Sequence, residues 1–265
     1  MPEVRLNVWF AGVLPKAGST PDECADAVGF NLETGTFAVA DGATISTLPE
    51  IWSRLLVEHF CQSELPPILS GQQTRKQIEQ WLAQPREQWA LRATALLPDL
   101  SPIAKLRIGN NLRARRGAAS TLLGLKIHVD GKGRAVWHAG AVGDSCLFWL
   151  TTAKPDGVFP VTSARQFNNA PATFHSFDTG GSPVASTRFG YVGDEDLFIM
   201  ATDALAHWLM LRWERQHDIR AFEPVLYIRT HEHFDAFISG ARADPSAPLA
   251  DDDAALILLH LERKR

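Results

Sequence analysis

Short apolar blocks and stretches of helical spacing take turns along this chain. Val4 to Val13, Ala27 to Phe30, Phe37 to Ala40, Thr121 to Val129, Ala135 to Val142, Cys146 to Leu150, Leu197 to Ala201 and Ala254 to Leu261 read as strands. In the first of these Leu6, Val8 and Phe10 share a face. Leu48, Ile51, Trp52, Leu55, Leu56, His59 and Phe60 recur at helical spacing, with Pro49 suited to the first turn. His59 lies on that buried stripe and reads as a histidine at the core's edge. A second helical region runs from about Thr74 to Leu97, with Pro85 expected to kink or break it. A third begins at Asp203, which sits where an N-cap would, and carries Leu205, Trp208, Leu209 and Trp213 on its apolar side. Helix signals continue from Phe222 to Ile238. The stretch from Thr151 to Val192 is rich in Pro, Gly, Ser and Asn and only weakly periodic. It reads as short strands and a long surface loop suited to substrate selection.

Turn signals join the strands. Glu33-Thr34-Gly35 makes a hairpin of Ala27 to Phe30 and Phe37 to Ala40, so antiparallel pairing brings Asp26 and Asp41 to the same end. Asp130-Gly131-Lys132-Gly133 turns the next pair. Acids then stand at separate strand ends: Asp41 with Gly42, Asp144 after Gly143, Asp203, and Asp251 to Asp253. Each alone has a plain reading, as a turn, an N-cap or a loop. As a set they offer carboxylate and carbonyl oxygens, the ligands of a hard divalent cation. Gly42 has no Cβ to keep a ligand from its carbonyl.

Composition narrows the classes. The 265 residues are 45% hydrophobic and 21% charged, an ordinary globular balance with material for one large core or two small ones. A formal net charge of −4 gives no basic field for nucleic acid or anionic lipid. Cys24, Cys61 and Cys146 are widely spaced, which argues against disulfides and structural zinc and fits a reducing cytoplasm. No signal-peptide pattern and no spanning apolar run is present, so a soluble cytoplasmic protein without a membrane or nucleic-acid partner is expected. Lys105, Arg107, Arg113, Arg115 and Arg116 form a basic cluster, read as a solvated helix face or, alternatively, a phosphoprotein contact. His231-Glu232-His233 is not the zinc spacing.

The motifs Phe-Ala-Val-Ala-Asp-Gly, Gly-Ala-Ala-Ser-Thr, Ala-Val-Gly-Asp-Ser, Ile-Met-Ala-Thr-Asp-Ala-Leu and a closing Asp-Asp before an apolar strand occur in that order. Together they resemble the metal-dependent protein phosphatases of type 2C, in the compact bacterial branch, across about residues 5 to 262. The resemblance implies a single domain over residues 1–265 of the α+β class: a four-layer α/β/β/α sandwich with two central antiparallel sheets. It also implies two Mn²⁺ or Mg²⁺ ions, with a weaker third. Asp41 would bridge the pair and the Gly42 carbonyl would bind one of them. Asp203 and Asp252 would complete the ligands of the first ion, Asp26 would stand beside the second ion, and Asp144 would serve the third. Asp41 and Asp203 would carry the catalytic role. A water shared by the cations would attack the phosphorus in line, so no protein nucleophile is needed and Ser120 and Ser145 are not candidates. The implied substrate is a phosphoserine or phosphothreonine protein, the target of a serine/threonine kinase.

The chain departs from that pattern where Ala25 precedes Asp26 in place of Glu, where Pro21 stands for a phosphate-holding arginine with Lys16 as nearest cation, and where His207 follows Asp203 by one turn. His207 reads equally as a replacement ligand or as a solvent-facing side chain. Ala25 opens a second reading, a pseudophosphatase that keeps the fold as a regulatory binding module. Under alternation Glu23 would face the same side as Ala25 and could stand in for the missing acid.

Overall fold

The strand β3 (Thr36–Ala40) is buried on both faces, and the rest of the molecule is layered around it. The computed structural model describes residues 4–130, 132, 134–151, 154–168, 170–178, 180–193 and 195–263, so Gly131 and Gly133 of the expected turn lie outside the described residues. β3 pairs with β2 (Ala27–Asn31) and β5 (Leu122–Val129). With β6 (Ala135–Val142) and β10 (Ser186–Tyr191) they form one sheet in the order β10-β6-β5-β3-β2. The second sheet is β1-β12-β11-β7-β8, built from β1 (Val4–Leu14), β7 (Cys146–Thr151), β8 (Lys154–Phe159), β11 (Glu195–Ala201) and β12 (Ala254–Arg263). Every pairing in both sheets is antiparallel. A short pair, β4 (Ala119–Ser120) with β9 (Phe174–His175), lies apart.

The period of two sorts β3 between two cores. Phe37 and Val39 face the other sheet and pack with Leu123, Leu125, Leu147, Phe198, Met200, Ile257 and Leu259. Ala38 and Ala40 face outward, where α1 (Pro49–Gln62) and α2 (Arg75–Leu96) bring Trp52, Leu56, Phe60, Leu82 and Trp89. On the far side α4 (Asp203–Gln216), α5 (Glu223–Leu226) and α6 (His231–Ala243) cover the second sheet with Leu205, Leu209, Phe222, Phe234 and Ile238. This is the four-layer α/β/β/α sandwich of the α+β class.

Pro85 does not end α2. It lacks an N–H, so the carbonyl of Trp81 four residues earlier loses its helical partner. His59 Nε2 donates to that oxygen at 2.9 Å, which also fixes the histidine's tautomer. Substituting His59 would return to the helix part of the ~3 kcal/mol that an interior proline costs. The run from Phe222 to Ile238 is broken: α5 stops at Leu226 and Thr230 starts α6 afresh, its Oγ1 accepting from His233 N at 3.2 Å. A further helix, α3 (Pro102–Arg113), buries only Ile108, and the basic cluster on and after it is solvated.

Candidate metal centre

Register brings the acids to one end. Ala27 pairs with Ala40, so Asp26 and Asp41 are the next residues out, and Gly42 N then donates to Ala25 O at 3.1 Å. In the other sheet Ala201 lies opposite both Cys146 and Leu256, which sets Asp203 beside the chain turns carrying Asp144 and Asp252. Gly143, at φ 102°, makes the turn before Asp144, a conformation that disfavours any side chain.

The acids are held by their neighbours. Asp26 is 2% exposed and accepts from Thr202 Oγ1 at 2.6 Å, while Thr202 Oγ1 itself accepts from Ala255 N at 2.8 Å. Thr202, not Asp203, occupies the N-cap position of α4, and Asp203 is its first helical residue. The N-cap reading of Asp203 is thereby corrected. Backbone N–H of Asp41 donates to Thr121 Oγ1 at 3.1 Å, and that hydroxyl shares a further bond with Ser145 Oγ at 3.0 Å. The triplet divides its labour: Asp253 accepts from Lys16 N and Ala25 N, both at 2.8 Å, Asp251 from Ala17 N at 2.9 Å, and Asp252 stands toward the other acids.

Electrostatics register the crowding. Burial, then Asp203, Asp252 and Asp144, push the Asp41 carboxyl up to about 8. Burial and then Asp41 hold Asp26 well above the usual carboxylate range. Burial, then Asp203, raise Asp144 to about 6. Asp203 is raised by burial, against the bond from Ala204 N at 2.6 Å, with Asp252 adding to the rise and His207 opposing it.

Solved structures with the same architecture span nearly the whole chain. The Mycobacterium tuberculosis serine/threonine phosphatase PstP/Ppp superposes with a TM-score of 0.55 at 12% identity, over 99% of this chain and 100% of that one. PppA of Pseudomonas aeruginosa gives 0.55 at 16% identity over 98% of each chain. The catalytic domain of PstP in complex with two manganese ions gives 0.53 at 13% identity, over 98% of this chain and 100% of that one. The chain has the type 2C phosphatase fold. No family model and no curated protein sequence matches it.

A type 2C fold raises the question of metal, and the residues present fit one by donor chemistry. Both carboxylate oxygens of Asp144 are buried with no hydrogen-bond partner, an arrangement that a cation would satisfy. The donors are all oxygens, suited to a hard ion. Among the described residues no three acids converge closely enough to hold an ion as they stand. His207 is half-buried, its ring 5.0 Å from that of Phe167, which follows the 3-10 turn Ala164–Gln166.

Beside the acids lies a cleft of about 560 Å³, lined among others by Lys16, Glu23, Ala25, Thr44, Glu50 and Arg107. Lys16 Nζ donates to Thr44 Oγ1 there at 3.3 Å. Glu23 is not aligned with Ala25. Pro21–Glu23 forms a 3-10 turn, and the Glu23 carboxylate closes back on Thr20 N at 2.9 Å and Thr20 Oγ1 at 3.0 Å. The alternation argument for Glu23 fails because β2 starts only at Ala27. Sequence reasoning gave no role to Thr202, though it lies inside the Ala-Thr-Asp-Ala-Leu motif, and singled out Asp252 of the closing triplet through the family resemblance alone.

Proposed function

We propose that the chain is a metal-dependent phosphoprotein phosphatase acting on phosphoserine or phosphothreonine, the products of a serine/threonine kinase. The observation that carries this reading is that the register brings Asp26, Asp41, Asp144, Asp203 and Asp252 to one end of a type 2C sandwich, with the carboxyls of the first four held above the usual range. Mn²⁺ or Mg²⁺ held there, two ions in this reading, would lower the pKa of a water to supply hydroxide near neutral pH and would offset charge on the phosphoryl oxygens. Asp41, the Gly42 carbonyl, Asp203 and Asp252 would hold them, with Asp144 serving a weaker third ion. Asp26 is anchored by Thr202, and burial, then Asp41, hold its carboxyl well above the usual range. The Lys16 ammonium, on the cleft wall beside Thr44, would meet the phosphoryl group. The three cysteines are free and buried, in keeping with a reducing cytoplasm. No helix among the described residues is long and apolar enough to cross a membrane.

Ala25 favours a second reading, a binding module with a weakened second ion, since Glu23 is tied to Thr20. Hydrolysis of a generic aryl phosphate decides between the two. The enzyme reading expects turnover that needs added Mn²⁺ or Mg²⁺, stops with chelator and is lost in Asp203→Asn. Full hydrolysis in excess chelator would remove the metal mechanism, and a metal-loaded but inert wild type would leave the binding module.

A further inference from the structure

Arg242 stands at the end of α6, outside the acid cluster, yet its guanidinium reaches both loops that frame the site. Nη1 donates to Pro15 O at 3.4 Å and Nη2 donates to Asp252 O. Nε lies 3.5 Å from Asp251 Oδ1, which is an ion pair but not a hydrogen bond. The same loops are sewn together by Asp251 and Asp253, which accept from Ala17 N, Lys16 N and Ala25 N. Asp252 lies between these two ties, its Oδ1 accepting from Asp253 N at 2.9 Å, and its charge is felt at Asp41 and Asp203.

We propose that Arg242 is a positioning residue, which clamps the 251–253 loop against residues 15–17 and so sets the carboxylate of Asp252 and the ammonium of Lys16. Its consequence for metal rests on the phosphatase reading; the clamp itself does not. A guanidinium suits the task because its fixed fork of donors serves two carbonyls and one carboxylate together, whereas a lysine is a single point charge.

The first measurement is amide hydrogen exchange on the metal-free full chain, for wild type, Arg242→Ala and Arg242→Lys. Exchange at Lys16, Ala17, Ala25 and Asp253 should quicken in Arg242→Ala and recover in part in Arg242→Lys, with the amides of β12 unchanged. No change at those four positions, or an equal rise through β12, overturns the clamp. The second is calorimetric titration with Mn²⁺. Arg242→Ala should weaken binding about tenfold, the scale for residues that orient metal ligands. In an Asp252→Asn background the same change should cost less than about twofold, because the link it acts through is gone. Equal losses in both backgrounds overturn the proposal. A wild type that binds no Mn²⁺ sinks the metal reading instead, and the exchange result then decides the clamp by itself.

Discussion

The two ends of the sandwich are made from the same strands and are built on opposite terms. At the end away from the acids, Trp149 lies opposite Gly157 and Trp137 opposite Gly190. A Cβ on Gly157 would come within 2.1 Å of the Trp149 ring, and one on Gly190 within 2.7 Å of the Trp137 ring, so each edge strand gives up a side chain to seat an indole. The two indoles meet at 5.1 Å between the sheets. Polar groups there are matched: Trp149 Nε1 donates to Asp156, Gly193 N to Asp196, and Arg134 pairs with Asp130. Bonds from Arg134, backbone first, hold the Asp130 carboxyl down at about 2. At the acid end the Asp41 carboxyl is driven up to about 8, and among the described residues the Asp144 carboxylate oxygens find no hydrogen-bond partner. One end is arranged for stability; the other keeps like charges together at a cost to it, which is how a ligand site is recognised.

The sharpest break in that contrast is Asp41→Asn. Turnover should fall by a hundredfold or more, on the order of losing one transition-state contact in a preorganised site. The metal-free protein should meanwhile gain stability. In the wild type, protonation of Asp41 favours the folded state fully below about pH 4, where the unfolded carboxyl also holds its proton. That advantage is lost as pH rises through the folded value of about 8, and for Asp144 through about 6. Thermal unfolding without metal should therefore come at lower temperature as pH goes from 5 to 8, roughly the span between the two states' titrations. Asp41→Asn should flatten the profile, and a wild-type profile already flat would show that the acids are not crowded.

The complementary change is at the quiet end. Trp137→Ala should cost about 3–5 kcal/mol in denaturant unfolding, since the indole is 3% exposed and backed by Trp149 and Phe198. Mn²⁺ affinity should stay within about twofold, because sites this far apart act independently. Affinity falling in step with stability would mean the two ends are coupled.

Much of this was legible because strand periodicity and turn residues report the register directly. The Glu33-Thr34-Gly35 hairpin alone puts Asp26 beside Asp41, and the structure pairs Ala27 with Ala40 as that requires. Helix limits were less legible. Thr230 restarts α6 through a local bond, and Pro85 is tolerated through His59, which is distant in sequence. Neither partner can be inferred from periodicity. For the triplet the resemblance singles out Asp252, but periodicity does not: Asp251, Asp252 and Asp253 are chemically alike, and in the structure the amides of Lys16, Ala17 and Ala25 tie down the outer two.

The smallest expected effect tests how incomplete the acid end is. Ala25 is 4% exposed, and its backbone is fixed on both sides, N–H to Asp253 Oδ2 and carbonyl to Gly42 N. A longer side chain there has only the neighbouring cleft to enter, beside Lys16 and Glu50. Glu23 cannot answer for the missing carboxylate without leaving Thr20, where two hydrogen bonds hold it. A doubly charged ion in a partly dry site binds more weakly when one anionic donor is lost. Ala25→Glu should therefore lower the Mn²⁺ concentration for half-maximal activity by up to about tenfold. Repulsion from Glu50, itself raised by burial and opposed by Arg54, works against the full gain. Glu23→Ala should shift the same midpoint by no more than about twofold, the loss of one exposed capping contact. The three proteins are titrated side by side, with thermal unfolding to confirm that each is folded. A wild type that saturates at low micromolar Mn²⁺ and is not improved by Ala25→Glu would show that the second ion is held by other groups. A Glu23→Ala variant as impaired as a ligand mutant would name Glu23 as that group.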